Sequence, residues 1–284
     1  MRLFDSHCHL QDERLAPHLD GVLRRASDAG VAAMLCCGSA ESDWEAVRAL
    51  ARAHPAIKPA FGLHPWYAAD RSPQWLDTLR RFLTTAPDPL ACRAGTVADL
   101  PAGRTPGACV GEIGLDHALD RGTFAAQEEC FLAQIKLAAE LRRPVSLHCR
   151  RAWGRLMDLL DTHGWPPDGV ILHSYSGGRE LVAPLVRRGA YFSFSGAITH
   201  DRNVRGREAA AAVPEDRLLI ETDAPDIPAA ASDEVVLRTP DGKPLSEPAN
   251  LVLTVRTLAA FRHVPETAVA ETTWRNAECL LGSP

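Results

Sequence analysis

Short apolar runs alternate with longer stretches of three- and four-residue apolar spacing along the chain, and this rhythm constrains the fold more than any other feature. Eight runs read as strands: 3–7, 31–37, 57–62, 108–112, 145–148, 170–173, 191–195 and 218–221. Helical patterns lie between them, clearest at 42–53, 127–141 and 153–162, and two more, 248–262 and 266–281, close the chain. A crossover between parallel strands is nearly always right-handed, so eight consecutive βα units close most simply into one (β/α)8 TIM barrel of the α/β class. A doubly wound open sheet is the structural alternative. A chain of 284 residues suits one such barrel, so residues 1–284 are expected to form a single domain.

Two stretches interrupt the rhythm. Residues 85–107 are rich in Pro, Gly, Ala and small polar residues and read as a long surface excursion before the fourth strand. Residues 224–247, proline-rich with a charged middle, follow the eighth strand. A loop in that position lies over the active-site mouth of a barrel, which makes it the stronger candidate for substrate contact.

Charged residues make up 24% of the chain and hydrophobic ones 46%, a globular profile rather than a disordered or membrane-spanning one. No run is apolar and long enough for a signal peptide or a membrane span, so a cytoplasmic location with no membrane association is expected. No obligate protein partner is evident. The eight cysteines are scattered, with Cys36 and Cys37 adjacent, and none forms a CxxC pair, so buried thiols are expected rather than disulfides or a zinc ribbon. A net charge of −5 argues against avid, nonspecific coating of nucleic acid. It leaves a phosphodiester substrate open, because bound cations and local arginines can supply positive potential.

Chemistry concentrates at the ends of the predicted strands. His7 and His9 are two residues apart on a strand and so project to one side, while Cys8 points away. Glu112, His148 and His173 end three apolar runs, and Asp223 follows a fourth. In a (β/α)8 barrel the carboxyl ends of the strands form one rim, where residues distant in sequence meet. Four histidines and two carboxylates exceed the needs of one four-coordinate zinc and suit two divalent ions sharing a carboxylate. Such a pair, about 3.5 to 4 Å apart, activates a water and neutralises charge on attacking and leaving oxygens, which is hydrolytic chemistry. Mixed imidazole and carboxylate ligands accept Zn, Mn or Mg.

The ordered motifs extend over nearly the whole chain: 4–9 (FDSHCH), 62–65 (GLHP), 111–116 (GEIGLD), 144–150 (PVSLHCR), 173–177 (HSYSG), 219–225 (LIETDAP) and 247–250 (EPAN). Together they resemble the TatD-related DNase family of metal-dependent hydrolases, a branch of the amidohydrolase-like barrels. The resemblance implies that His7, His9 and Asp223 hold one ion, that His148 and His173 hold the other, and that Glu112 bridges them. It implies Asp223 as the catalytic residue that takes a proton from the attacking water. His64 resembles the family's additional active-site histidine near a substrate phosphate, set against a plain loop histidine fixed beside Pro65. The segment after Asp116 lacks the expected aromatic, and Tyr175 replaces a phenylalanine; both bear on substrate shape.

Arg150 follows His148 and is a candidate phosphate clamp, while Arg151 is left unassigned. Glu221 shares the facing of Asp223 and could orient a ligand imidazole from behind, with an ordinary buried acid paired elsewhere as the alternative. Trp66 and Tyr67 could stack on a base, although loop aromatics more often cap a core, the reading favoured at this level. DNA is the expected substrate, cleaved by a metal-dependent deoxyribonuclease activity. Hydrolysis of a small-molecule amide, lactone or ester is the alternative, since fold and metal site do not separate the two. A non-enzymatic metal-binding protein is disfavoured, because this ligand set exceeds what a structural site needs.

Overall fold

The computed structural model describes residues 1–85, 107–230 and 234–282. The expected excursion at 85–107 lies, apart from its two end residues, outside the described residues. All eight predicted strands are present: β1 (Leu3–Cys8), β2 (Val31–Cys37), β3 (Ile57–Phe61), β4 (Cys109–Asp116), β5 (Val145–Arg150), β6 (Val170–Leu172), β7 (Ala190–Phe194) and β8 (Leu218–Ile220). They form one sheet in the order β1 to β8, with β1 also against β8, and β1–β2, β3–β4, β4–β5, β5–β6 and β7–β8 pair in parallel. This is the (β/α)8 barrel class.

Helices fill the connections: α1 (Leu19–Asp28), α2 (Trp44–Ala53), α3 (Trp75–Thr85), α4 (Phe124–Leu141), α5 (Trp153–His163), α6 (Arg179–Val186), α7 (Val204–Ala212), α8 (Leu251–Arg262) and α9 (Glu266–Leu281). Their apolar stripes explain why they form. In α5, for example, Leu156, Leu159 and Leu160 recur at helical spacing and are buried. A 3₁₀ turn, Pro248–Asn250, opens α8 inside the span expected as one helix, because Pro248 suits a first turn and Glu247 with Asn250 closes a capping box there. No described helix is long and apolar enough to cross a membrane.

The chain divides into two compact units. One comprises residues 1–36 and 173–278, with β1, most of β2, β7 and β8. In it Phe4, Phe192 and Phe194 are fully buried, and Ser6 Oγ meets Ser193 Oγ at 2.7 Å. The loop after β8 is tied down at its far end: Glu247, itself 1% exposed, takes a bidentate contact from Arg25 of α1 at 2.6 to 3.0 Å.

The other unit comprises residues 37–172 and 279–284, with β3 to β6. Trp44 and Phe61 are fully buried there, and the Trp44 indole N–H donates to the Gly62 carbonyl at 2.9 Å. β4 and β5 run past the ends expected of them, at Glu112 and His148, because they keep pairing: Gly114 with His148, Leu115 with Cys149 and Asp116 with Arg150. Glu112 and His148 are therefore interior to their strands. Gly114 makes this approach possible. Its φ is +148°, and a Cβ there would lie 1.9 Å from the His148 carbonyl oxygen.

Candidate metal centre

In the first unit, β1 delivers His7 at its end and His9 just beyond it. Their Nε2 atoms lie 3.2 Å apart, and each faces Asp223 Oδ1, at 3.8 Å from His7 and 3.5 Å from His9. Two imidazole nitrogens and a carboxylate oxygen converging in this way fit a divalent cation, which would take the lone pairs that otherwise oppose one another. Asp223 reaches this position through a left-handed turn, φ 54°, just past β8, and its N–H donates to the His7 carbonyl at 3.0 Å. Cys8 points away, as expected for the intervening strand residue, with its thiol toward the Leu35 carbonyl at 3.5 Å.

The His173 ring stacks on His7, with centroids 3.9 Å apart. Its Nδ1 meets Glu221 Oε1 at 3.2 Å, and the same oxygen accepts the Ser174 N–H at 2.6 Å. Glu221, fully buried, thus holds the imidazole from behind, so that a cation at this ring would be taken by Nε2. Beneath lies Asp5, whose carboxylate accepts from the Thr222 hydroxyl and N–H and from the His7 N–H. Burial pushes Asp5 up to about 8, against these hydrogen bonds and with the charge of Glu221 adding to the rise.

In the second unit Glu112, His148 and His64 converge around one oxygen. Glu112 Oε1 lies 2.9 Å from His148 Nδ1 and 3.3 Å from His64 Nε2, and the two rings are 4.5 Å apart. This group also offers one ligand atom per residue to a cation. His64 caps the 3₁₀ turn Pro65–Tyr67: its Nδ1 accepts the Trp66 N–H at 3.2 Å, which leaves Nε2 to carry the proton of a neutral ring toward Glu112. His64 therefore sits against the glutamate itself, not merely in a loop beside Pro65.

Asp116 was not assigned a role from the sequence. Fully buried at the end of β4, it accepts the Trp66 indole N–H at 2.8 Å and the Ala118 N–H at 2.9 Å, and faces His148 Nε2 at 3.4 Å. Burial alone would raise this carboxyl, but the hydrogen bonds from His148, Trp66 and Ala118 outweigh it and hold Asp116 well below the usual carboxylate range. His148 thus stands between two carboxylates. With its Nε2 proton directed at Asp116, its Nδ1 lone pair faces Glu112, an apposition that a shared proton or a cation relieves. The signal for Asp116 was its spacing: residues 112, 114 and 116 share one side of a strand. Arg150, at the end of β5, has a half-exposed side chain 4.0 Å from Asp116 Oδ2. Trp66 and Tyr67 do not cap a core; they are 53% and 42% exposed.

Fold and side-chain groups together define a metal-dependent hydrolase on a (β/α)8 frame. The sequence model of the family described as TatD related DNase matches residues 4–282, and the chain belongs to that family. It is 32% identical over 284 residues to the "3'-5' ssDNA/RNA exonuclease TatD" of Shigella flexneri serotype 5b, covering 99% of each chain. The "Uncharacterized metal-dependent hydrolase YjjV" of Escherichia coli K12 is 30% identical, covering 100% of this chain and 99% of that one. The crystal structure of that YjjV, a TatD homologue, superimposes with a TM-score of 0.82 at 29% identity, covering 100% and 99% of the two chains. A TatD-family hydrolase from Entamoeba histolytica shares the fold, with a TM-score of 0.78 at 17% identity over 100% and 99% of the chains.

Proposed function

We propose that the chain is a divalent-metal-dependent deoxyribonuclease that hydrolyses the phosphodiester bonds of DNA from a strand end, with residues 1–284 acting as one domain. The observation that carries this reading is the pair of donor groups at β1 and β8 and at β4 and β5, each built from imidazoles converging on a carboxylate. The exonuclease name of the Shigella relative supports the substrate class, and names RNA beside single-stranded DNA. By the family resemblance, His7, His9 and Asp223 would hold one ion, His148 and His173 would hold a second, and Glu112 would also be a ligand. Bound ions would neutralise charge on the phosphodiester and on the water that attacks it. The chain's own residues do the rest. Asp223 accepts the proton of the attacking water, Glu221 holds His173, Asp116 holds His148, and His64 and Arg150 bind the substrate phosphate. A cytoplasmic location belongs to the same reading, supported by the absence of a disulfide among the described cysteines.

The test is release of nucleotides from end-labelled unpaired and duplex DNA, and from RNA, with Mg, Mn or Zn added singly to chelator-stripped protein. Glu112→Ala and Asp223→Ala are each expected to lower kcat/KM by about 100-fold or more, as for residues acting directly at a reacting centre. Undiminished cleavage by both variants would refute the assignment. Turnover of lactones, amides or esters without phosphodiesterase activity would give the same residues a different chemistry.

A further inference from the structure

We propose that Trp66 is a stacking platform for a nucleobase of an unpaired strand, placed one residue pair away from the group that engages the phosphate. The inference rests on the nuclease reading for its ligand class. Trp66 is a large apolar side chain left 53% exposed, with Tyr67 beside it on the same 3₁₀ turn at 42%. A ring abandoned by the core is commonly mobile; this one is held. Its indole N–H donates to the buried Asp116 at 2.8 Å, its backbone N–H donates to His64 Nδ1, and its plane stands at 87° to the His64 ring, 5.1 Å away. With its polar edge held, the residue keeps 53% of its surface exposed, and a ring already fixed loses little freedom on binding.

The neighbours fit a nucleotide. Asp116 Oδ2 accepts from Trp66 and also lies 4.0 Å from the half-exposed Arg150 guanidinium. An aromatic face and a cation flanking one anchor suit a base joined to a phosphate. A base inside a duplex has both faces covered by its stacked neighbours, so the platform suits an unpaired strand. His64 links the platform to the chemistry, accepting from Trp66 and facing Glu112 at 3.3 Å.

Fluorescence polarisation tests the platform without turnover. A short labelled unpaired DNA is titrated with the whole chain in chelator, alongside DNAs carrying one abasic nucleotide at each of the terminal positions in turn. At one position the wild-type protein is expected to prefer the base-bearing DNA by about 5- to 150-fold. Trp66→Ala is expected to collapse that preference toward one, while Trp66→Phe, which keeps a ring and loses the N–H, retains most of it. Equal preferences in wild type and Trp66→Ala, or an equal loss in both variants, would overturn the proposal, the second by assigning the effect to the Asp116 anchor. No binding by the wild-type protein overturns it too. Trp66-dependent binding without cleavage under any metal would defeat the nuclease reading and leave the platform standing; cleavage indifferent to the abasic substitution would do the reverse.

Discussion

Glu221 touches no reacting atom in the proposed scheme, yet it fixes one of the rings that would. Its Oε1 takes both the His173 Nδ1 proton and the Ser174 N–H. A carboxylate in that place raises the basicity of the opposite nitrogen and settles the tautomer; an amide does the first poorly and can turn its NH₂ toward the ring. Glu221→Gln is therefore expected to weaken metal binding by about 10- to 100-fold, read as metal retained per chain against a competing chelator. Retention equal to that of the unaltered protein would remove Glu221 from this role. From its two-residue spacing to Asp223 the sequence suggested Glu221 behind an imidazole; it does meet His173, but β8 ends at Ile220 and Asp223 lies in a left-handed turn, so strand alternation is not the reason. The sequence could not show Asp116 holding both Trp66 and His148, because that contact joins three elements and no local pattern encodes it.

At the scale of elements, apolar runs betrayed every strand, since a parallel strand covered on both sides has little choice but Val, Ile, Leu and their like. Their ends were less legible. β4 continues to Asp116 and β5 to Arg150 because each is the other's partner, and pairing across 30 or so residues leaves no trace in a run of hydropathy. The same close packing governs the thiols. Cys130 of α4 is buried, and burial pushes it up to about 11, with Cys149 of β5 driven above the ordinary thiol range for the same reason. Alkylation consumes the thiolate, so a raised pKa slows it: at about pH 9 Cys130 should react about 100-fold more slowly than an ordinary thiol, even before access is considered. Peptide mass spectrometry after an iodoacetamide pulse should find label on the exposed Cys279, almost none on Cys130 until the pH nears 11, and none on Cys149 until the protein unfolds. Rapid labelling of Cys130 in the native state at pH 9 would contradict this packing.

Across the whole molecule, converging imidazoles and carboxylates are a cost to the fold until something positive joins them. Binding to the native state alone adds RT ln(1 + [L]/Kd), about 2.7 kcal/mol at a hundredfold excess over Kd. For a chain of this length the melting temperature should rise by several degrees as Mn, Mg or Zn is added to stripped protein, and fall again with chelator. The rise should shrink in Glu112→Ala and in Asp223→Ala. A melting curve indifferent to every divalent ion would argue that these groups are filled by protons instead.

Gly114 sets a limit of another kind. With His148 O standing where its first side-chain atom would go, this position admits no alternative residue without prising two staves of the barrel apart. An engineer wishing to reshape the surroundings of Glu112 and His148 must leave this seam closed and work on the connecting loops, where length and composition can change while the two strands keep their register.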